Sequence, residues 1–318
     1  MKVFVPQQIA EEGKAFLHGR SYEIVMGSGI SEADLIRDGG DCEAILGRTA
    51  KITARVLEAC PRLRVVARHG VGFENVDVEK AAELGIWVTN TPEALTSTVA
   101  EHAIGLLLAV SKHIVWGDRE TRRGNYSARD RMQGLDLAGK TLGLVGLGRI
   151  GSAVAKRASA GLEMKVMAYD PFAKNVPEGI SLVGTLDELL GAVDFISLHL
   201  PLTPQTRGII GKSAFDRMKK GAYIINTARG EIIDEDAMIL ALRSGTLAGA
   251  ALDVLRSEPP DADNPLLDMD NVVLTPHNAA LTRECLIRLA THAARSVDEV
   301  LSGKTPSWPV NTPLRPRR

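Results

Sequence analysis

Short β-branched and apolar runs alternate along the chain with segments whose apolar residues recur at spacings of three and four, as at Val154, Ala155 and Ala158. The first pattern predicts strands and the second amphipathic helices. Strands are expected at Lys2–Val5, Tyr22–Val25, Ala44–Leu46, Leu63–Ala67 and Ile86–Thr89. A second set is expected at Thr141–Val145, Lys165–Tyr169, Phe195–Leu198, Ala222–Asn226, Gly249–Leu252 and Val272–Leu274. Strand–helix–strand alternation means parallel sheets, and right-handed crossovers make them doubly wound, so the fold class is α/β with two such sheets. Thr185-Leu-Asp-Glu188 has the spacing of a capping box, and Asp234 is placed to cap a helix that Gly245 would stop. Between the two strand sets lies Pro92–Lys112, a long helix with an apolar face. The polar stretch Trp116–Ala138 after it carries five arginines (119, 122, 123, 129 and 131) interleaved with Asp118, Glu120 and Asp130, which reads as a solvated surface. The tail from Pro306 carries four prolines and reads as an extended or frayed arm.

Composition narrows the classes. The 318 residues suit two domains, and a 45% hydrophobic share is enough for sizeable cores. Lys and Arg number 38 against 39 Asp and Glu, a net charge of -1 that argues against nucleic acid or an anionic membrane as partner. The longest apolar run, Ile104–Val110, is far short of the ~20 residues of a membrane span, and the first residues lack the pattern of an export signal. Three scattered cysteines, Cys42, Cys60 and Cys285, suggest neither a disulfide framework nor a metal site, so a cytoplasmic location is expected. Thirty glycines fit the many tight turns of an α/β protein.

One glycine cluster carries a mechanism. Thr141–Val145 feeds Gly146-Leu-Gly148-Arg149-Ile150-Gly151 at a helix start. Gly146 allows the tight turn, Gly148 lets a pyrophosphate approach the backbone, and Gly151 lets helix and strand pack closely, while the helix amides face the anion. The next strand ends in Asp170, 19 residues beyond Gly151, where a carboxylate can accept from ribose hydroxyls and repel a 2′-phosphate. NAD is therefore expected rather than NADP. His69-Gly-Val71-Gly72 also follows an apolar strand but lacks the third glycine and the acid; exposed amides there would suit a small anion.

Three further segments follow strands, where α/β sheets place their crevices. Asn226-Thr-Ala-Arg229 offers a guanidinium, Asp253–Glu258 two carboxylates, and Thr275-Pro-His277 an imidazole. Hydride transfer to a 2-oxo acid needs a proton at the carbonyl oxygen, which histidine can deliver near neutral pH. Glu258 bonded to one ring nitrogen of His277 would favour the imidazolium and fix the tautomer, and Arg229 would hold the substrate carboxylate bidentately. The other histidines, His102 among them, read as structural, with His69 and His199 set apart because they end strands.

With these residues in hand the sequence resembles the D-isomer-specific 2-hydroxyacid dehydrogenases, and within them the phosphoglycerate dehydrogenase group. The resemblance runs through residues 68–77, 90–109, 137–151, 199–210, 225–234, 251–259 and 275–282. It implies a Rossmann NAD-binding domain, residues 98–280, inserted into a flavodoxin-like substrate domain made of residues 1–97 and 281–318, with the active site in a hinged cleft. It implies that Arg229, Glu258 and His277 are catalytic, with Asp253 beside the nicotinamide. Gly146, Gly148, Arg149, Ile150, Gly151, Asp170, Leu200, Thr227, Ala228, Ala279 and Ala280 would contact the cofactor, and Val71, Gly72 and Arg48 the substrate. Arg48 stands where the family helps bind a substrate phosphate, but Leu46 and Gly47 occupy places where a further basic residue can occur, so a phosphorylated substrate is left open. Hydroxypyruvate or glyoxylate reduction is the alternative, and a non-catalytic NAD-sensing corepressor the rival from another class. A homodimer through the 92–112 helix and the segment after it is expected from the resemblance. A C-terminal regulatory domain, present in larger family members, is not expected.

Overall fold

The computed structural model describes residues 1–131 and 133–317. The chain opens with β1 (Lys2–Val5), α1 (Glu11–Gly19), β2 (Glu23–Met26), α2 (Glu32–Gly39), β3 (Ala44–Gly47), α3 (Ala54–Ala59), β4 (Val65–Arg68), α4 (Val78–Glu83) and β5 (Trp87–Thr89). Then come α5 (Thr96–Ser111), α6 (Ile114–Arg122), β6 (Thr141–Val145), α7 (Arg149–Leu162), β7 (Lys165–Tyr169), β8 (Ile180–Leu182), α8 (Leu186–Ala192), β9 (Phe195–Leu198), α9 (Lys212–Arg217), β10 (Ala222–Asn226), α10 (Glu235–Ser244), β11 (Leu247–Leu252) and β12 (Val272–Leu274). The last helix is α11 (Arg283–Leu301). Two compact units result, Met1–Leu95 with Ala280–Arg318, and Thr96–Ala279.

In the first unit five parallel strands stand in the order β2-β1-β3-β4-β5, the flavodoxin-like arrangement. Side chains of a strand alternate between faces, and both faces here are covered. Val3, Val5, Leu46 and Val65 pack under α1 and α11, with Ala290, Ala293, Ala294 and Val297 from α11. Phe4, Ile45, Val66 and Val88 face the other way, onto Leu35, Val56, Leu57 and Ala81 of α2, α3 and α4. Burial on both sides explains why these strands read as unbroken apolar runs. Gly13 is where α1 meets α11, and a Cβ there would lie 2.7 Å from the Ala290 Cβ. The proline-rich tail is not frayed. Val310 N donates to Val88 O, the Asn311 side chain bonds the backbone of Ile86 and Val88, and Arg317 N donates to Gly85 O, so the tail runs along the free edge of β5.

In the second unit seven parallel strands are ordered β12-β11-β10-β9-β6-β7-β8. Counted within the unit this is the Rossmann order with a seventh strand added, and the direction of winding reverses between β6 and β9. Leu142, Leu144, Val166, Ile225 and Ala251 pack against Ala103, Leu107 and Val110 of α5 and Val154, Ala155 and Ala158 of α7. Ile196, Leu198, Ile224 and Leu252 pack on the opposite face with Leu189 and Leu190 of α8, Phe215 of α9, and Met238 and Leu242 of α10. Asp234 caps α10 by accepting from Ala237 N at 3.1 Å, and Gly245 ends it in the left-handed region at φ 72°. The expected box at Thr185 forms in part. Thr185 Oγ1 accepts from Glu188 N, but the Glu188 carboxylate turns to the amide of Gly184 instead of that of Thr185. Helix α5 starts at Thr96, four residues later than Pro92, because residues 92–95 form a turn. No single helix among the described residues is long and apolar enough to cross a membrane.

Candidate active site

All seven strands of the second unit run the same way, so their carboxyl ends share one edge of the sheet. The phosphate turn leaves β6 there. Gly146 has φ 95°, and a Cβ on it would lie 2.6 Å from the carbonyl oxygen of His199. A Cβ on Gly151 would lie 2.2 Å from Gly146 O. Glycine at both positions lets the turn, the start of α7 and the end of β9 close on one another. Gly148 differs: a Cβ on it would meet nothing within 4 Å, and no side chain caps α7. The result is an open cradle over helix amides, the setting that binds a phosphate. At the end of β7 the Asp170 carboxylate accepts from Leu147 N and Phe172 N, both at 2.8 Å, which ties it to the same turn. Leu200 is half-buried beyond β9, and Arg149 is exposed and Ile150 half-buried at the start of α7.

The charged residues leave three adjacent strands. After β10, buried Asn226 accepts from Ala228 N at 2.9 Å and donates to Arg229 O at 2.9 Å, which shapes the turn carrying Arg229. The Arg229 guanidinium donates to Ala228 O at 2.7 Å. A Cβ on Gly230 would lie 2.1 Å from the backbone of Leu255, so this turn rests directly on the loop after β11. That loop carries Asp253 and Glu258. Buried Glu235 anchors it, accepting from Arg256 N at 3.1 Å and Asn264 Nδ2 at 3.0 Å. After β12, His277 takes the left-handed conformation at φ 51°, and its Nδ1 lies 2.7 Å from Glu258 Oε2. An ionised carboxylate only accepts, so Nδ1 donates and Nε2 is left for another partner. The His277 side chain is 52% exposed, so a small molecule can reach it.

Asp253 behaves differently from its neighbours. It is 1% exposed and accepts from Thr275 Oγ1 at 2.6 Å, Asn278 N at 2.9 Å and Ala279 N at 3.0 Å. Burial raises its proton affinity, yet hydrogen bonds from His102, Thr275, Asn278 and Ala279 outweigh that and hold the carboxyl below its usual range. Thr227 Oγ1 and Asn278 Oδ1 are buried without a partner among the described residues. Such atoms cost about 1–3 kcal/mol each when left unmet, a cost that a bound polar group would remove. Asn226, Glu235 and His102 carry no sequence signal for these duties, because each acts through a partner that the chain pattern does not point to.

His199 and His69 are both neutral. Burial pushes His199 down to about 4, with Nε2 2.9 Å from Ser197 Oγ. Burial and then the nearby Arg48 charge push His69 down to about 4, and its Nε2 has no hydrogen-bond partner among the described residues. In the first unit Arg48 follows β3 and donates to Gln8 O at 3.2 Å. The amides of Val71 and Gly72, after β4, make no hydrogen bond among the described residues, while Val71 O accepts from Asn90 Nδ2 at 2.9 Å. Ala228 and Ala279 are buried, and Ala280, half-buried, begins the return to the first unit.

Residues 104–279 match the family model described as D-isomer specific 2-hydroxyacid dehydrogenase, NAD binding domain. The chain is 43% identical over 317 residues to a D-3-phosphoglycerate dehydrogenase of Archaeoglobus fulgidus, with 98% of this chain but 60% of that protein covered. It therefore spans well under the full length of that relative. It is 40% identical over 320 residues to a glyoxylate reductase of Korarchaeum cryptofilum, covering 98% of this chain and 96% of that one. Among solved structures, the TT0316 protein of Thermus thermophilus superposes with a TM-score of 0.91 at 38% identity, covering 98% and 100% of the two chains. The Rossmann sheet, its glycine cradle and these matches lead to one conclusion: the chain belongs to the D-isomer specific 2-hydroxyacid dehydrogenase family.

Proposed function

We propose that the protein is an NAD-dependent oxidoreductase that interconverts a small D-2-hydroxy acid and its 2-oxo acid. The observation that carries this reading is the delivery of a guanidinium, a carboxylate and an imidazole by the adjacent strands β10, β11 and β12, with Glu258 bonded to His277 at 2.7 Å. The bound dinucleotide supplies or accepts the hydride. The open face at Gly148 and the amides that begin α7 hold its pyrophosphate, Asp170 its adenosine ribose, and Arg149, Ile150, Leu200, Thr227, Ala228, Asp253, Ala279 and Ala280 line its path. Asp170 places negative charge where NADP would carry its 2′-phosphate, so NAD is the cofactor.

Arg229 binds the substrate carboxylate through two parallel N–H···O bonds, which also aligns the neighbouring carbonyl. His277 gives the proton from Nε2 to the carbonyl oxygen in the reductive direction and takes it back from the hydroxyl in the oxidative one. Glu258 holds the ring by Nδ1 and stabilises the charged imidazole. Residues 98–280 form the cofactor domain, and residues 1–97 with 281–318 the substrate domain. There the amides of Val71 and Gly72 serve the substrate carboxylate, and Arg48 serves a substrate phosphate. The narrower reading is interconversion of 3-phosphoglycerate and 3-phosphohydroxypyruvate, with hydroxypyruvate or glyoxylate reduction as the second, since a D-3-phosphoglycerate dehydrogenase and a glyoxylate reductase both match along nearly the whole chain. The protein acts in the cytoplasm as a homodimer built on α5 and α6, and α6 has no buried residue within this chain.

A panel of plain and phosphorylated 2-oxo acids with NADH tests the activity. Oxidation of NADH by at least one is expected, and a folded protein inert to all of them refutes the enzyme and favours an NAD-sensing module. His277→Ala should lower kcat by about 10²–10⁴-fold while NADH affinity stays within a few-fold; surviving turnover would remove His277 as the proton donor. Sedimentation at micromolar concentration showing a monomer would remove the dimer.

A further inference from the structure

The buried carboxylate beneath the catalytic turn has a fourth donor. His102 stands midway along α5, its side chain 24% exposed, with Nε2 3.4 Å from Asp253 Oδ1 and 3.1 Å from Thr275 Oγ1. Thr275 Oγ1 gives its own proton to Asp253 Oδ1 at 2.6 Å, so it presents only lone pairs to the imidazole. Two acceptors therefore converge on Nε2, and the ring must carry its proton there. Beyond them the same Asp253 carboxylate accepts the amides of Asn278 and Ala279, and its backbone carbonyl accepts His277 N at 2.9 Å. His277 itself sits at φ 51°, a conformation that costs a residue other than glycine energy and persists only when its surroundings hold it.

We propose that His102 is a positioning residue: as an Nε2–H donor shared by Thr275 and Asp253, it fixes the buried carboxylate that orients residues 277–279. Its reach is through the turn, not to the substrate. A carboxylate withdrawn from water needs its acceptor sites filled, and without His102 the Asp253 side chain turns or draws in water. The amides of Asn278 and Ala279 then lose their fixed anchor, and His277 moves off the geometry in which its Nε2 meets the reacting oxygen. A misplacement of about 1 Å is enough to slow a reaction by about 10²-fold. The inference rests on His277 as the proton donor.

Three variants of the full chain test it: His102→Leu, which fills the space without a donor, His102→Gln, which returns an amide donor, and Thr275→Val. His102→Leu is expected to lower kcat roughly 10- to 100-fold with KM for the 2-oxo acid nearly unchanged, the size expected for one hydrogen bond to a charged group. His102→Gln should recover most of that loss. Adding Thr275→Val to His102→Leu should cost little more than either alone, because both cut one path. Loss of KM with kcat intact, failure of Gln to recover kcat, or full additivity overturns the proposal. Two readouts need no turnover. ¹⁵N NMR of the wild-type imidazole should find the proton on Nε2, and the amides of Asn278 and Ala279 should exchange with solvent at least about tenfold faster in His102→Leu, the change that loss of one charge-assisted bond brings. A proton on Nδ1, or unchanged exchange, overturns it even if the protein reduces no 2-oxo acid, a result that would instead sink the reading of function.

Discussion

Gly148 and Gly151 lie three residues apart in one glycine turn, and the fold assigns them unequal costs. At Gly148 the backbone is ordinary extended chain, φ −71° and ψ −162°, and an added Cβ meets nothing within 4 Å. Gly148→Ala should leave the fold intact and its stability within about 1 kcal/mol of wild type, because the gain from a stiffer unfolded chain is offset by the poorer fit of alanine at the N-cap of α7. At Gly151 the same methyl would lie 2.2 Å from Gly146 O, which must retreat by about 0.8 Å to reach even 3.0 Å. Overpacking of that kind costs about 1–3 kcal/mol. The unit that holds it runs from Thr96 to Ala279, a size at which each kcal/mol moves the melting point about 2–4 °C. Gly151→Ala should therefore melt roughly 2–12 °C lower. NADH binding separates the two roles. If the pyrophosphate approaches the open side of Gly148 as proposed, Gly148→Ala should weaken NADH at least tenfold, or about 1.4 kcal/mol, in a protein as stable as wild type. Differential scanning calorimetry and fluorescence titration with NADH measure both quantities. Gly148→Ala that binds NADH like wild type refutes the placement of the cofactor, and Gly151→Ala with an unchanged melting point refutes the close approach.

Asp170→Ser should narrow the preference for NADH over NADPH by tenfold or more, measured as a ratio of kcat/KM values; an unchanged ratio would mean that another group selects the cofactor. Arg48→Ala should raise KM about tenfold or more for a phosphorylated 2-oxo acid and leave glyoxylate unaffected, and equal effects on both would assign Arg48 to the fold. His69 is neutral in the native protein at pH values above about 4, whereas the unfolded chain takes its proton near 6.5. Its contribution to stability is thus fully present above pH 6.5 and is lost as pH falls toward 4, up to roughly 3–4 kcal/mol at ~1.4 kcal/mol per pH unit. Urea unfolding of His69→Leu should show a flatter acid limb across that window, and an identical limb would contradict the burial assigned to it.

The parts of this structure that are legible in the sequence share a physical cause. Strands such as Lys2–Val5 and Ala222–Asn226 are covered on both faces, so nearly every position has to be apolar and the pattern announces itself. The glycine turn is legible because Gly146, at φ 95°, and Gly151, packed on the Gly146 carbonyl, answer steric demands within the turn itself. β8 escapes such a reading: it is a three-residue edge strand with Ser181 and Leu182 exposed, and pairing on one side leaves little trace in composition. α6 escapes it because none of its residues is buried, which removes the periodicity that betrays a helix. Glu258 and His277 stand out as charged residues after buried strands, but the bond that joins them spans 19 positions. His102 lies 173 positions from Thr275 and reads as structural in the sequence alone. Contacts of that separation exist only once the sheet has formed.

The division of the first unit also has a consequence during synthesis. Its sheet is complete in sequence by Thr89, yet α11, which covers Val3, Val5, Leu46 and Val65, begins only at Arg283. The ribosome must add the stretch from Leu95 to Arg283, about 190 residues, before that helix exists; at about 5–20 residues per second this takes about 10–40 s. For that interval one apolar face of the nascent sheet has α1 but lacks the α11 part of its cover, while the continuous segment Thr96–Ala279 can complete its own core as soon as it emerges. The unit begun first is finished last, and its uncovered face is the surface a chaperone would meet on the growing chain.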